Sequence, residues 1–374
     1  MNLRIANNTE VADMDCRETF AELLYSTYYD SLCDNDIYEM QMNKLRSWIK
    51  ANIPAKLYKY RSAEERHFDA FRNDQLWGGS ILAFNDPLEC LPYYDLNKIN
   101  AEIKREFSPE MITPIVEQIS NGAPPKRFTK LLTQDYLDNL KETISHIASS
   151  EDLAKNLGQA HVQVITYLNS IMDDLEKAFF SGIMRDEITY KIACLSESNS
   201  SSLMWGHYAD SHKGFCLEYD LVSVLQDCPK TCSDSRYCTQ FMMTPAIAPV
   251  IYRTERFDAS SAFASMIMNH IKDKCGIAAE NYYYDMLLSI KTLLTKADAW
   301  SYEKEWRLFR KEQGTVQHKP LLNIQAKAAY IGMNMLPEHK AVIKEICSTK
   351  GIPCYQMAPQ YFNSSYEIVP LLIE

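Results

Sequence analysis

Read with a period of two, the segment 303–309 separates Glu303, Glu305, Arg307 and Phe309 from Trp306 and Leu308. In a β-strand, successive side chains point to opposite faces. Trp306 and Leu308 would then lie on a buried face. The other face would carry two acids and a base, Glu303, Glu305 and Arg307, with the two carboxylates about 7 Å apart. This pattern is typical either of paired acids that act on one sugar or of a solvated sheet face whose Glu–Arg pairs are structural.

The composition is that of a soluble globular protein, with 46% hydrophobic and 24% charged residues. A net charge of -10 argues against a protein that coats nucleic acid, because phosphate binding needs a basic surface. We expect no membrane partner, because no apolar run reaches the length of a membrane helix. The cysteines have no pairing pattern, and Cys228, Cys232 and Cys238 fit no zinc motif. We therefore expect reduced thiols, no bound metal and a cytoplasmic location.

The periodicity predicts an α+β protein with a mixed central sheet. Residues 1–53 are interpreted as an N-terminal helical extension, and residues 54–374 as a single α+β domain, because no linker or repeat divides them. Helical spacing at about 98–186 predicts a helical insertion, with His161 as a core histidine on its apolar stripe. Strands are predicted at 57–61, 76–84, 188–195, 215–219, 249–253, 328–332, 352–357 and 366–373, and helical regions at 260–297 and 337–348, so that the chain ends in a βαβ-like unit.

Four sequence motifs occur in a fixed order along the chain. They are LYKYR at 57–61, FNDPLE at 84–89, MWGHYADSHKG at 204–214 and WSYEKEWR at 300–307. In this order they resemble the bacterial family catalogued as domain of unknown function 2971, from residue 57 to the C-terminus. The N-terminal helices lie outside the resemblance. The family name carries no activity, so a function has to be inferred from the residues.

The chain also resembles the ADP-ribosyltransferases, which are transferases that act on NAD. These enzymes use an early strand with an Arg, His or Tyr, a middle strand with a small hydroxyl residue, and a later Glu-x-Glu. The resemblance implies an ADP-ribosyltransferase-like core with Ser80 on the middle strand and Glu303 and Glu305 as the late pair. The early strand would supply Lys59, Tyr60 or Arg61. The two glycines before Ser80 depart from the family pattern, and the motifs at 84–89 and 204–214 have no counterpart in it.

This second resemblance implies a role for each candidate residue. Breaking the nicotinamide–ribose bond puts positive charge on the ribose, which Glu305 would stabilise through the 2′-hydroxyl. Glu303 would orient or deprotonate the acceptor, which stays open among protein, nucleic acid and water. Such an enzyme would be an intracellular toxin or a phage-defence effector. The remaining candidates would bind NAD: Arg61 or Lys59 at the pyrophosphate, Tyr60, Trp205 or Tyr208 by stacking on a ring, and Ser80, Asn85, Asp86, His207 and Arg307 as further contacts.

Two other functions fit the same residues. A metal-dependent nuclease would place a divalent cation on acids drawn from Asp86, Glu89, Glu303 and Glu305, although the lysine expected two residues after the acidic pair is absent. A non-enzymatic protein of a defence system would use the cleft to sense a ligand and pass the signal to a partner. His207 is as consistent with a core hydrogen bond as with acid–base chemistry, and Asn85 is as consistent with a turn as with a ligand contact.

Overall fold

The computed structural model describes residues 7–27, 29–30, 35–106, 188–222, 246–265, 283–284, 287–313, 319–361 and 366–373. Most of the predicted helical insertion lies outside these residues, as do His161 and the cysteines Cys228, Cys232 and Cys238. Within the described part of the chain, none of the helices combines the length and the apolar character that crossing a membrane requires.

The described elements alternate irregularly between helices and strands. The helices are α1 (Asn7–Ser26), α2 (Asn35–Asn52), α3 (Glu65–Arg72), α4 (Leu96–Glu106), α5 (Ser202–Tyr208), α6 (Leu288–Leu293) and α7 (Pro337–Lys350), with 3₁₀ helices at Ile81–Ala83 and Asp298–Glu303. The strands are β1 (Tyr29–Asp30), β2 (Leu57–Arg61), β3 (Gln75–Leu76), β4 (Gly79–Ser80), β5 (Ile188–Ser196), β6 (Phe215–Tyr219), β7 (Ala246–Pro249), β8 (Ile251–Arg253), β9 (Tyr283–Tyr284), β10 (Thr295–Ala297), β11 (Glu305–Gln313), β12 (Leu322–Asn323), β13 (Ala328–Ile331), β14 (Cys354–Pro359) and β15 (Ile368–Leu372).

Nine of these strands form a mixed central sheet, which confirms the predicted α+β class. The strand order is β15–β14–β13–β6–β2–β5–β11–β7, and β4 also pairs with β5. The β13 and β14 strands are parallel and are connected through α7, as the βαβ-like ending predicted, whereas the other neighbours are antiparallel. The register aligns Tyr58 of β2, Ser196 of β5 and Glu305 of β11 across the sheet. The first and last sequence motifs therefore lie in one sheet, separated by a single strand.

The main hydrophobic core joins the N-terminal helices to this sheet. Phe20 and Leu24, one helical turn apart in α1, are fully buried together with Leu45 of α2. They belong to the same cluster as Trp306 and Leu308 of β11, the two residues predicted to face the interior. The helices predicted as an N-terminal extension thus share the core of the sheet.

The loop between α5 and β6 is tightly constrained. Asp210, Ser211 and His212 all have positive φ angles, of 46°, 53° and 68°. Residues other than glycine rarely adopt this left-handed conformation, so the surrounding contacts must hold it in place. Gly214 follows directly, and a Cβ atom at this position would overlap the carbonyl oxygen of Arg61. Only glycine allows the loop to pack against β2 in this way.

Two predicted elements differ from the structure. The strand expected at 76–84 is interrupted, because the Ser80 side chain accepts a hydrogen bond from the Leu82 amide and starts the 3₁₀ helix that follows β4. The helical region expected at 260–297 is helical at 260–265 and in α6, but it also contains β9 and β10. Apolar residues at helical spacing did not distinguish these short strands from a helix.

Candidate functional site

The two glutamates of the last motif lie on different elements, but their carboxylates meet at one lysine side chain. Glu303 ends a 3₁₀ helix, and Lys304 then adopts the left-handed conformation with φ 44°. The chain enters β11 only at Glu305. The prediction that Glu303 and Glu305 lie on one face of a continuous strand was therefore wrong in geometry. The turn at Lys304 nevertheless brings both carboxylates onto the side chain of Lys296.

Five charged side chains form a buried ionic cluster around this lysine. Lys296 Nζ lies 2.5 Å from Glu303 Oε2, 3.1 Å from Glu305 Oε2 and 3.4 Å from Glu89 Oε1. Arg307 Nε donates to Glu305 Oε1 at 2.9 Å, and its Nη2 pairs with Glu89. Each of the five side chains is at most 4% exposed. With all groups ionised, three carboxylates face two cations, so the ionic cluster carries one excess negative charge.

Burial of this cluster excludes the solvated sheet face considered above. Residues 305–310 are all buried, and Trp306, Leu308 and Phe309 belong to the main hydrophobic core. The β5 and β7 strands pair with the two edges of β11. Arg307 also donates to the Leu293 carbonyl oxygen and lies over the Phe84 ring, 5.1 Å from its centroid. Charges removed from water are tolerated only when they are paired and hydrogen-bonded, and these contacts satisfy that condition.

The two glutamates of the pair have pKa values shifted in opposite directions. Burial raises the pKa of Glu303, and the negative charge of Glu305 adds to this effect against the opposing charge of Lys296. Burial also acts to raise the pKa of Glu305, but Arg307 and Lys296 together hold it well below its usual value. The pKa of Lys296 is raised, since Glu305 and Glu89 outweigh the effect of its burial. Glu305 is thus a fixed anion, and Glu303 is the carboxyl group of the pair whose raised pKa makes it the better proton acceptor.

Contacts among side chains bring three of the four sequence motifs together. Tyr208 of α5 donates through Oη to Glu303 Oε1 at 2.5 Å, and burial followed by the Glu303 charge raises the pKa of this tyrosine. Asn85 Nδ2 donates to Tyr208 Oη at 3.4 Å. Asp86 accepts a hydrogen bond from Trp300 Nε1 at 3.0 Å, while its other oxygen accepts from the Leu88 amide and forms the predicted turn.

A group of four rings, which we call the aromatic group, lies beside Glu303. His207 is exposed, and its ring centroid lies 6.2 Å from those of Tyr208 and Trp300 and 6.4 Å from that of Tyr302. Because His207 is exposed, it does not plug the core. Trp300 connects the aromatic group to the ionic cluster, since Lys296 Nζ lies 5.1 Å from its ring centroid.

The candidates on the first motif have other partners. Lys59 Nζ donates to the Cys194 carbonyl oxygen at 2.7 Å, and burial, reinforced by the charge of Arg61, lowers its pKa to about 8. Arg61 Nη2 reaches the Trp77 carbonyl oxygen at 3.5 Å. Tyr60 donates to the Ser198 carbonyl oxygen at 2.8 Å. The first motif thus lies in the same sheet as the ionic cluster without taking part in its ion pairs.

Trp205 and Ser80, two further candidates for NAD binding, make contacts that support the fold. Trp205 is fully buried, packs edge-on against Tyr60 at 5.2 Å and donates to the Asn199 carbonyl oxygen. This ring therefore presents no surface on which nicotinamide or adenine could stack, and Tyr60 is only 6% exposed. Ser80 caps the 3₁₀ helix that follows it. Of the three rings proposed to stack on NAD, Tyr208 is the one beside the ionic cluster.

Two residues of the ionic cluster had no place in the predicted NAD site. Lys296 begins the segment that contains the Glu-x-Glu pair, and Glu89 was considered only as a metal ligand. Lys296 could have been predicted as a partner of the two glutamates, because it is a basic residue close to them in the sequence. No local pattern could place Glu89, which is 218 residues from Arg307 in the sequence.

A cavity of about 570 Å³ adjoins the ionic cluster on the side of Glu89 and Lys296. This volume falls in the range of small-molecule sites, about 300–1,000 Å³. Its wall combines apolar side chains, three cations and four acids. The lining residues are Asp86, Leu88, Glu89, Leu91, Tyr93, Arg253, Thr254, Glu255, Arg256, Phe257, Asp258, Thr292, Thr295, Lys296 and Ala297.

The fold and the site define an α+β protein whose sheet holds a buried cluster of three carboxylates and two cations beside a cavity. The model of the family described as "Protein of unknown function (DUF2971)" matches residues 204–308 of the chain. The matched segment contains the third and fourth motifs, with Tyr208, Glu303 and Glu305, and also Lys296 between them. No curated protein and no solved structure matches the chain.

Proposed function

We propose that this chain is an enzyme that cleaves the nicotinamide–ribose bond of NAD, as an ADP-ribosyltransferase or an NAD glycohydrolase. The observation that carries the proposal is that Glu303 and Glu305 share one buried lysine, Lys296, at 2.5 and 3.1 Å, and burial and the neighbouring charges shift their pKa values in opposite directions. Two carboxyl groups whose surroundings separate their pKa values are suited to acid–base and electrostatic roles in glycosidic cleavage. An ADP-ribosyltransferase-like core is part of this proposal.

The geometry supports roles for Glu303 and Glu305 that differ from those expected from the sequence. Glu305 is enclosed by Arg307 and Lys296, so it acts through its fixed charge and not by direct contact with the ribose. A fixed anion in a site shielded from water favours the positive charge that develops on the sugar. Glu303 is the group that takes the proton of water or of another acceptor, because its pKa is raised and Tyr208 links it to the aromatic group.

The exposed rings provide a place for nicotinamide. His207 is exposed, Trp300 and Tyr302 are half-buried, and all three lie within ring-contact distance of one another. A planar ring can stack on such a surface, with the ribose directed toward Glu303. An enzyme of this kind would act in the cytoplasm, where NAD depletion or ADP-ribosylation would make it a toxin or a phage-defence effector.

The nuclease alternative receives less support from the same residues. A divalent cation needs several free carboxylate oxygens. In the ionic cluster those oxygens are already paired with Lys296 and Arg307. Across the described ranges, no group of three His, Cys, Asp or Glu residues is arranged to hold a metal ion. We therefore place NAD cleavage first.

The test is release of nicotinamide from NAD by the purified protein, alone and with cell extract. Glu303→Gln should lower the rate by about 100-fold or more, the usual contribution of a general base. Glu218→Gln is the matched control, because Glu218 is also buried and also accepts from a tyrosine, Tyr330 at 2.5 Å. Absence of nicotinamide release by the wild type under both conditions would reject the proposed class. Equal losses in both variants, with folding intact, would reject the role of Glu303.

A further inference from the structure

The cavity beside the ionic cluster has one wall held in place by backbone hydrogen bonds. The Tyr93 amide donates to the Phe257 carbonyl oxygen at 2.8 Å, and the Tyr93 carbonyl oxygen accepts from the Ala259 amide at 2.9 Å. Asp258, which lies between Phe257 and Ala259 in the sequence, pairs with Lys98 at 2.9 Å and accepts a hydrogen bond from the Ser260 amide. The loop that carries the cavity wall is therefore fixed before any ligand arrives, and pre-organisation of this kind reduces the entropy lost on binding.

An aromatic side chain and a cation face each other on this wall. The guanidinium carbon of Arg256 lies 5.9 Å from the ring centroid of Tyr93, and Tyr93 is 43% exposed. Arg256 is exposed as well, and it forms no ion pair with any residue that the structure describes. The other cations of the lining are engaged: Arg253 makes two hydrogen bonds to Glu18, and Lys296 belongs to the ionic cluster.

These two side chains match the two ends of an adenosine diphosphate group. A planar base can stack on the Tyr93 ring, as bases stack on aromatic platforms in other nucleotide sites. The planar fork of an arginine binds phosphate oxygens in pairs. A ligand with a planar base and adjacent phosphates would therefore satisfy both groups at once. The volume of about 570 Å³ is sufficient for such a ligand.

We infer that this cavity binds the nucleoside diphosphate half of the substrate, with the base on Tyr93 and the phosphates on Arg256. The inference rests on the proposed function for the identity of the whole substrate, since ADP is one half of NAD. Trp300 then marks the boundary between the two halves. It contacts Asp86 and Lys296 of the cavity lining and also His207 of the aromatic group.

The test is titration of the intact protein with ADP and with ADP-ribose by calorimetry, at constant ionic strength. We expect binding by the wild type and at least a tenfold weaker affinity for Arg256→Gln and for Tyr93→Ala. Arg66→Gln is the matched control, because Arg66 is an exposed arginine paired with Glu64 on α3, away from the cavity lining. Its affinity should equal that of the wild type.

The outcomes separate this inference from the proposed function. Binding of ADP that depends on Arg256 and Tyr93 supports the nucleotide site even if NAD is not cleaved. Failure of the wild type to bind ADP or ADP-ribose at millimolar concentration overturns the site, whether or not NAD is cleaved. Equal affinities in the wild type and both cavity variants also overturn it, because the ligand would then occupy another place.

Discussion

Arg17 in α1 donates a hydrogen bond from Nη1 to the carbonyl oxygen of Glu305, 3.1 Å away. The same nitrogen donates to the Val250 carbonyl oxygen at 2.7 Å, and Nη2 pairs with Glu197 at 2.5 Å. Glu197 in turn accepts from Trp306 Nε1 at 2.6 Å. One side chain of the N-terminal helix therefore fixes the start of β11, where the carboxylate of Glu305 is placed. The N-terminal helix is part of the site's support.

Replacing Arg17 should destabilise the protein. Arg17→Ala removes three hydrogen bonds made by a charged group and leaves Glu197 partly buried without its cation, so we expect a loss of about 2–4 kcal/mol in the free energy of unfolding. Urea denaturation measures this loss. Arg72→Ala is the control, because Arg72 pairs with Glu65 and Asp69 on an exposed surface and its loss should cost less than about 1 kcal/mol. Similar losses in the two variants would contradict the supporting role of Arg17.

Glycine at position 214 should be required for stability. Gly214→Ala places a methyl group against the carbonyl oxygen of Arg61, and backbone atoms cannot yield as a flexible side chain can. We expect a cost of about 1–3 kcal/mol, as for other overpacked sites, seen as a lower melting temperature. Gly79→Ala is the matched control, since no atom lies within 4 Å of a Cβ atom at that position. A melting temperature unchanged in Gly214→Ala would show that the loop can move away from β2.

Sequence reasoning located most of the sheet because its strands have strong local patterns. The β2, β5 and β6 strands were predicted at 57–61, 188–195 and 215–219, close to their observed bounds. The prediction of one continuous strand at 303–309 was wrong at its start, because Glu303 ends a 3₁₀ helix and Lys304 is left-handed. Lysine rarely adopts that conformation, so nothing in the local sequence indicates the turn at Lys304.

The ionic cluster could be predicted only in part. Glu303, Glu305 and Arg307 lie within one motif, and their proximity follows from the sequence. The contact between Arg307 and Glu89 does not, since Glu89 lies in a turn 218 residues earlier in the sequence. The interior position of β11 in the sheet likewise depends on β7, which pairs with it from a separate part of the chain. Long-range pairing of this kind leaves no periodic signal in a single sequence.

Glu303 should make the stability of the protein fall as pH rises. Its pKa is raised in the folded state, chiefly by burial, so between its usual value of 4.5 and the raised value the folded protein binds more protons than the unfolded chain. The free energy of unfolding then decreases with pH in that window, by at most about 1.4 kcal/mol per pH unit for one proton. Glu303→Gln should flatten this decrease.

The measurement is urea denaturation at several pH values above 4.5 for the wild type and Glu303→Gln. For Glu305 the expected pH dependence has the opposite sign: its contribution to the free energy of unfolding is lost as pH falls, and Glu305→Gln should remove this dependence. The lowered pKa of Glu305, maintained by Arg307 and Lys296 against the effect of burial, contributes stability that is present above pH 4.5 and lost as pH falls below it. That variant should lose about 3–5 kcal/mol near neutrality, because the fully buried Arg307 loses a charged partner. Parallel pH profiles for all three proteins would contradict the opposite pKa shifts.

For the proposed NAD cleavage, the hydroxyl group of Tyr208 should set the pH at which Glu303 becomes able to accept a proton. Its hydrogen bond to Glu303 lowers the pKa of that carboxyl group against the larger effect of burial. Tyr208→Phe removes this bond, so the pKa of Glu303 should rise further and the acidic limb of the pH–rate profile for NAD cleavage should move to higher pH. Tyr330→Phe removes the equivalent tyrosine hydroxyl from Glu218 and provides the control, with an unshifted profile expected. A lower rate in Tyr208→Phe without any shift of the acidic limb would indicate that Tyr208 supports the structure of the site and does not tune Glu303.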